Sequence, residues 1–103
     1  MKRYRVDVLE RAKSQLQEIT AWRTENRRAQ ADLVIDELTD AIDTLAAFPD
    51  AGAEFRSRRA KGVRRWLLPR SQHWVYYGVD HNAWVVWIFA VWSTARRKGP
   101  PLK

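Results

Sequence analysis

Two histidines, His73 and His81, are the side chains here whose ordinary pKa lies near neutral pH, and Asp80 stands beside the second of them. Five arginines follow the same stretch of chain: Arg64, Arg65, Arg70, Arg96 and Arg97. Cations of this kind offset charge on a phosphate, and an imidazole can exchange a proton with a ribose hydroxyl. RNA cleavage by 2′-hydroxyl attack needs a base for that hydroxyl, an acid for the leaving 5′-oxygen and cations for the phosphorane. The cations are plentiful and the acid–base pair is not. With one carboxylate near them, His81 reads more simply as a polar turn residue and His73 as a strand-edge residue, although either can still serve a nuclease. The chain has no Cys, so disulfides and thiolate metal sites are excluded. Two His without Cys do not supply the convergent ligands of a metal centre, and no cofactor is expected. No Gly-rich phosphate loop, nucleophile elbow or paired-carboxylate signature appears.

Charge narrows the partners. Residues 1–50 carry 8 Lys/Arg and 10 Asp/Glu, a net of −2, whereas residues 51–103 carry 11 and 2, a net of +9. A basic C-terminal half suits RNA, DNA or an acidic protein segment, against the plainer alternative of a solubilising surface. Asp32, Asp36, Asp40 and Asp43 recur at helical spacing, where like charges repel by about 0.2–0.5 kcal/mol per pair. They read as a solvated helix face, or else as an acidic docking strip or counter-charge for the basic half. At 103 residues the chain holds one domain, 1–103, with a basic tail from about 96–103. No apolar run reaches membrane-spanning length and the basic N-terminus lacks a signal-peptide core, so a cytoplasmic protein is expected.

The elements that position these residues follow from hydrophobic period. Tyr4, Val6 and Val8 alternate with Arg3, Arg5 and Asp7, which predicts a short half-buried strand. Leu9, Ala12, Leu16, Ile19 and Trp22 then recur at three and four, one face of a helix. The polar stretch Thr24 to Arg28 breaks that pattern, with Asn26 as a candidate N-cap for a second helix. Ala31, Val34, Leu38, Ala41, Leu45 and Phe48 form the stripe of that helix, which Pro49 ends. Residues 53–61, with Arg56, Arg58, Arg59 and Lys61, read as a loop. Three β-rich runs come after it: Val63 to Leu68, His73 to Val79 and Ala83 to Trp92, separated by short turns. The expected architecture is α+β, β-α-α-β-β-β: an antiparallel sheet with a helical hairpin on one face.

The last run is apolar on both faces, and the chain has six Trp. A strand buried on both sides sits inside a sheet covered on both faces, yet two helices cover only one. Either the sheet curls and fills with Trp, or the second face meets another molecule.

The sequence resembles the RelE/ParE superfamily of toxins from bacterial type II toxin–antitoxin modules. The resemblance rests on the opening Tyr4-Arg5-Val6, Ala12 with Leu16 and Ile19, and Leu45-Ala46-Ala47-Phe48-Pro49 followed by Gly52. It continues through Gly62-Val63-Arg64-Arg65, Val75-Tyr76-Tyr77-Gly78-Val79, and Val86 to Trp92 followed by Ala95-Arg96. It implies a small basic growth inhibitor neutralised by a cognate antitoxin that wraps it with an acidic-hydrophobic segment. RelE-like members are ribosome-dependent mRNA endonucleases; ParE-like members poison DNA gyrase without known nuclease activity. Here no Tyr or His follows Trp92, Ser93 stands where many members carry His, and the Arg at the end of a strand is matched by Pro69-Arg70 only with a one-residue shift.

The expectation is therefore a ParE-like toxin inhibiting DNA gyrase, with the RelE-like endoribonuclease as the alternative and a basic interaction module outside such a system as a third reading. Arg64, Arg65, Arg70, Arg96 and Arg97 are the candidate target-binding residues. For Arg64, a salt bridge back to a helix competes with that role. Trp74, Trp84, Trp87 and Trp92 are the candidate antitoxin-binding residues.

Overall fold

The computed structural model describes residues 3–56 and 61–101. Strand β1 (Arg5–Val8) leads into helix α1 (Glu10–Asn26), a 3-10 turn (Arg28–Gln30) and helix α2 (Leu33–Ala47). Strands β2 (Ala53–Phe55), β3 (Val63–Leu68), β4 (His73–Asp80) and β5 (Val85–Ser93) complete one five-stranded sheet of order β1-β5-β4-β3-β2. The α+β arrangement with both helices on one face is as the residue pattern implies.

Four features differ from that pattern. First, β2 to β5 are antiparallel, but β1 runs parallel to β5, with Val6 opposite Val86. The sheet is therefore mixed. A parallel pair needs a long crossover, which the two helices supply. Second, the stretch read as a loop from residue 53 opens with β2, whose Glu54 pairs with Arg64 across the ladder. Arg58 and Arg59 lie outside the described residues. Third, α1 continues through Thr24 and Asn26. Their side chains bond backward to the carbonyls of Thr20 and Trp22, so Asn26 does not cap α2. A polar helix face mimics a break in the pattern. Fourth, α2 begins at Leu33, after a turn that the residue pattern does not reveal.

The core explains the register. Val34, Leu38, Ala41 and Leu45 of α2 are buried against Leu68, Val75, Tyr77, Val86, Ile88 and Val91 of the sheet. Burying one Leu this completely contributes about 1.5–3 kcal/mol. Helix α1 gives less: Ala12 is fully buried, with Leu16 and Ile19 packed at the margin. Strand alternation then fixes the other face. Val63, Tyr76 and Ala90 are buried there, with Phe55, Trp74, Phe89 and Trp92 packed around them. A register shift beside Tyr76 and Tyr77 sets Tyr76 opposite Ala90 and Tyr77 opposite Ile88, which keeps Phe89 on that second face. Gly78 faces Phe89, and a Cβ there would stand 2.9 Å from the ring.

Candidate functional site

The second face is not left bare. After β5 the chain turns back over it. The Trp92 indole N–H donates to the Lys98 carbonyl at 2.8 Å, Gly99 lies against Phe55, Pro100 is buried, and the Pro101 carbonyl accepts from Arg11. The sheet's own tail thus covers part of the surface that the helices leave open.

Two of the candidate cations belong to this face and sit over aromatic rings. Arg65 on β3 places its guanidinium carbon 4.0 Å from the Trp74 ring centroid and 5.3 Å from that of Phe55. Arg96 sits 4.2 Å over Trp92. Such stacking contributes about 0.5–1 kcal/mol at exposed positions and more when desolvated. Trp87, half-buried, has Gly78 opposite it on β4 and alternates onto the same face. Trp84 is set apart. It sits in the β4–β5 connection at a positive φ of 59°, its ring 5.1 Å from Tyr4.

Arg64 and Arg70 are engaged elsewhere. Arg64 points to the helix side, where it donates to the carbonyls of Gly52 (2.7 Å) and Asp50 (3.3 Å) and pairs with the Asp50 carboxylate at 3.5 Å. It fastens the segment after α2 to the sheet. His81 joins this cluster from the β4–β5 turn: its Nε2 is 3.3 Å from Asp50, and its Nδ1 is 2.6 Å from the Tyr4 hydroxyl. Arg70 lies in the β3–β4 turn, at the opposite end of β4. There the Glu37 carboxylate accepts from the backbone N–H groups of Arg70 (2.8 Å) and Ser71 (2.7 Å). Burial works to raise the Glu37 pKa, but hydrogen bonds from Ser71 and Arg70, with the Arg70 charge, outweigh it and hold the group below its ordinary value. Arg97 is exposed.

Beside that turn is a cleft of about 780 Å³ between the C-terminal half of α1, the β3–β4 turn and the residues after β5. Arg70 and Arg96 line it, and so do Arg23, Arg27, Trp22 and Trp92. Glu18 is the one carboxylate among the described residues lining it. Arg23 is 8% exposed and donates to the carbonyls of Ser71 (3.1 Å) and Gln30 (3.5 Å). His73 is 7% exposed, and its Nδ1 has no hydrogen-bond partner among the described residues. Burial, then the Arg23 charge, pushes its pKa below the ordinary imidazole value, so the ring stays neutral.

The structure therefore divides the five arginines. Arg70 and Arg96 share the cleft, Arg65 and Arg96 stack on the second face, and Arg64 is a structural tie. Trp22, Arg23 and Arg27 are the residues that sequence reasoning missed. Spacing alone puts Trp22 on the core stripe of α1, yet it is 55% exposed. The available signal was the Trp22-Arg23 pair with Arg27 one turn on, legible only once the helix runs through Asn26. Asp43 of the acidic strip pairs with Arg3 at 2.5 Å, while Asp32, Asp36 and Asp40 are exposed. No helix among the described residues is long and apolar enough to cross a membrane.

The fold is thus a small mixed sheet with both helices on one face and cation–aromatic pairs on the other, in a chain of formal net charge +7. Residues 6–98 match the family described as the ParE toxin of the type II toxin–antitoxin system parDE, and the chain belongs to that family. Among solved structures, the chain is similar to one from the chromosomal ParDE toxin–antitoxin system of P. aeruginosa. The two share 16% identity and a TM-score of 0.71, over 87% of this chain and 95% of that one. It is also similar to one from the RelBE2 toxin–antitoxin complex of Mycobacterium tuberculosis. Here identity is 20% and the TM-score 0.62, over 88% of this chain and 98% of that one. At these identities the likeness is one of fold. No protein of curated function matches the sequence.

Proposed function

We propose that this toxin acts in the cytoplasm by binding rather than by chemistry, as a ParE-like inhibitor of DNA gyrase, and that a cognate antitoxin neutralises it by seating on the Trp-bearing second face. One observation carries the reading: the cations of the cleft lie apart from the imidazole–carboxylate contact of His81 with Asp50. Arg70 and Arg96 line a cleft whose His73 is buried, while His81 is at the far end of β4. Family membership supports the toxin class, and the antitoxin complexes formed by similar structures support a partner of that kind. The test is a supercoiling assay with purified gyrase and relaxed plasmid. The expected result is loss of supercoiling with accumulation of cleaved DNA, while mRNA on translating ribosomes stays intact. Cleavage of that mRNA, with gyrase unaffected, overturns the reading.

The endoribonuclease alternative draws on a specific constellation. Tyr4, His81, Asp50 and Arg64 form a chain of contacts at 2.6, 3.3 and 3.5 Å, which brings an imidazole, a carboxylate, a phenol and a cation together. If that cluster cleaves RNA, His81→Ala abolishes toxicity without lowering stability. The gyrase reading expects His81→Ala to remain toxic.

A further inference from the structure

One edge of the sheet is β1, which pairs with β5 on one side and with no strand among the described residues on the other. Arg5 and Leu9 donate their backbone N–H groups to the carbonyls of Trp84 and Ile88, so Arg5, Asp7 and Leu9 turn their main chain toward β5. Strand alternation then turns the N–H and C=O groups of Tyr4, Val6 and Val8 outward. The end of α2 closes the start of this edge, where the Ala46 carbonyl accepts from the Tyr4 N–H at 2.8 Å. Beyond that bond, the outward groups of Tyr4, Val6 and Val8 have no hydrogen-bond partner among the described residues. The Val6 and Val8 side chains pack on the helix-covered core, so Arg5 and Asp7 project from the opposite face. There they pair with each other at 3.1 Å, their side chains 67% and 36% exposed. Charges on a sheet edge ordinarily deter edge-to-edge association. These two are of opposite sign and flank a single residue, the one arrangement that a two-fold axis at that residue turns into attraction.

We propose that β1 pairs antiparallel with β1 of a second copy of this chain, about a two-fold axis at Val6, so that the two sheets join edge to edge. In that register Val6 exchanges both backbone hydrogen bonds with Val6 of the other copy, and each Val8 N–H meets the other copy's Tyr4 carbonyl. The contact thus uses the run that α2 leaves open. Arg5 stands opposite Asp7 of the other copy, and Asp7 opposite its Arg5, at the positions where facing side chains approach most closely. Moving the axis one residue either way sets Arg5 opposite Arg5 or Asp7 opposite Asp7. Charge therefore selects the same register as the backbone. A second copy is favoured over an unrelated strand because an isologous contact demands a self-complementary sequence, and Arg5-Val6-Asp7 is one. The patch is small, so the expected dissociation constant is on the order of 10–100 µM. The inference goes beyond the gyrase reading, since it uses main-chain groups that neither the target nor the antitoxin contact proposed above occupies.

The test is sedimentation equilibrium of the full chain over concentrations reaching about tenfold either side of that range. The parent is expected to pass from monomer to dimer. Arg5→Asp alone and Asp7→Arg alone each set like charges opposite one another, and each should weaken dimerisation by about tenfold or more. An equimolar mixture of the two variants restores both opposite-charge pairs and should dimerise about as tightly as the parent. Arg5 is exposed and Asp7 partly so, hence both variants are expected to fold, and a thermal melt verifies it. Amide hydrogen exchange gives a second reading. The Val6 and Val8 N–H groups should slow as the parent dimerises, whereas the Arg5 N–H, already bonded to Trp84, should not. A chain that stays monomeric throughout, with Val6 and Val8 exchanging freely, overturns the proposal and leaves the edge to some other strand. So does a dimer indifferent to both charge changes, or a mixture that associates no better than either variant alone. Neither gyrase nor an antitoxin is present, so the outcome is independent of the supercoiling result.

Discussion

Arg65 sits over Trp74, its guanidinium carbon 4.0 Å from the ring centroid. A cation suited to an anionic target and an aromatic suited to an antitoxin are thus one structural unit. Arg96 on Trp92 repeats the arrangement at 4.2 Å. On the roles proposed above, target contact and antitoxin contact would share surface, and an antitoxin seated on the Trp rings would also mask the arginines. Arg65→Ala and Trp74→Ala should each reduce both toxicity and antitoxin affinity. A double-mutant cycle on antitoxin binding should show coupling of about 0.5–2 kcal/mol. Additive effects would show that the stack carries no shared role.

Removing Arg96 and Arg97 together should abolish toxicity at matched expression. Sequence alone predicts that antitoxin binding survives that change. The Arg96–Trp92 stack and the Trp92–Lys98 hydrogen bond alter the expectation. With both arginines gone, the tail loses a contact that holds it on the second face, so antitoxin affinity should change measurably by calorimetry. Unchanged affinity with lost toxicity would separate the two surfaces after all.

Trp87→Ala should weaken antitoxin binding by about 2 kcal/mol while leaving the melting temperature close to that of the parent. Its neighbour across the ladder is Gly78, which offers no side chain, so Trp87 has less to lose in packing than Trp74. An intact fold with undiminished affinity would remove Trp87 from the interface.

Arg64→Met should lower stability by about 1.5–3 kcal/mol, because it leaves the Gly52 and Asp50 carbonyls without their charged donor and the Asp50 carboxylate with His81 alone. Target binding by the molecules that remain folded should be unchanged. Chemical denaturation and a binding assay on the same variant separate the two. A stable variant that no longer binds would return Arg64 to the target surface.

Acid should loosen the fold in two stages. Burial, then Arg23 on α1, holds the folded His73 below 6.5, opposed by the Ser71 carbonyl and by Glu37 on α2. Below 6.5 the unfolded chain binds a proton that the folded chain resists, so stability falls as pH drops through that value. Glu37, also lowered, adds a second loss below 4.5. In denaturant melts across pH, His73→Gln should remove the first stage and keep the second. A first stage that persists in His73→Gln would assign it to another group.

The local pattern in the sequence was enough to determine most of the elements. The stripe from Val34 to Leu45 reads as a helix because its spacing buries one face whatever lies opposite. The runs around Val75 and Val86 read as strands because β-branched and aromatic residues fit a pleated surface. Family membership was legible too, since it resides in the order and spacing of such pieces. What the tertiary structure alone decided is pairing at long range. A three-residue strand at Ala53–Phe55 has no period of its own and exists because β3 offers it an edge. The parallel seat of β1 beside β5 depends on where the helical crossover returns the chain. The site divides in the same way. Sequence supplies an abundance of arginines, and each one's role depends on what the fold sets against it: carbonyls and Asp50 for Arg64, an indole for Arg65, a buried cleft for Arg23. Charge is a property of the residue; its availability to a partner is a property of its neighbours, and those neighbours lie up to 48 positions away along the chain.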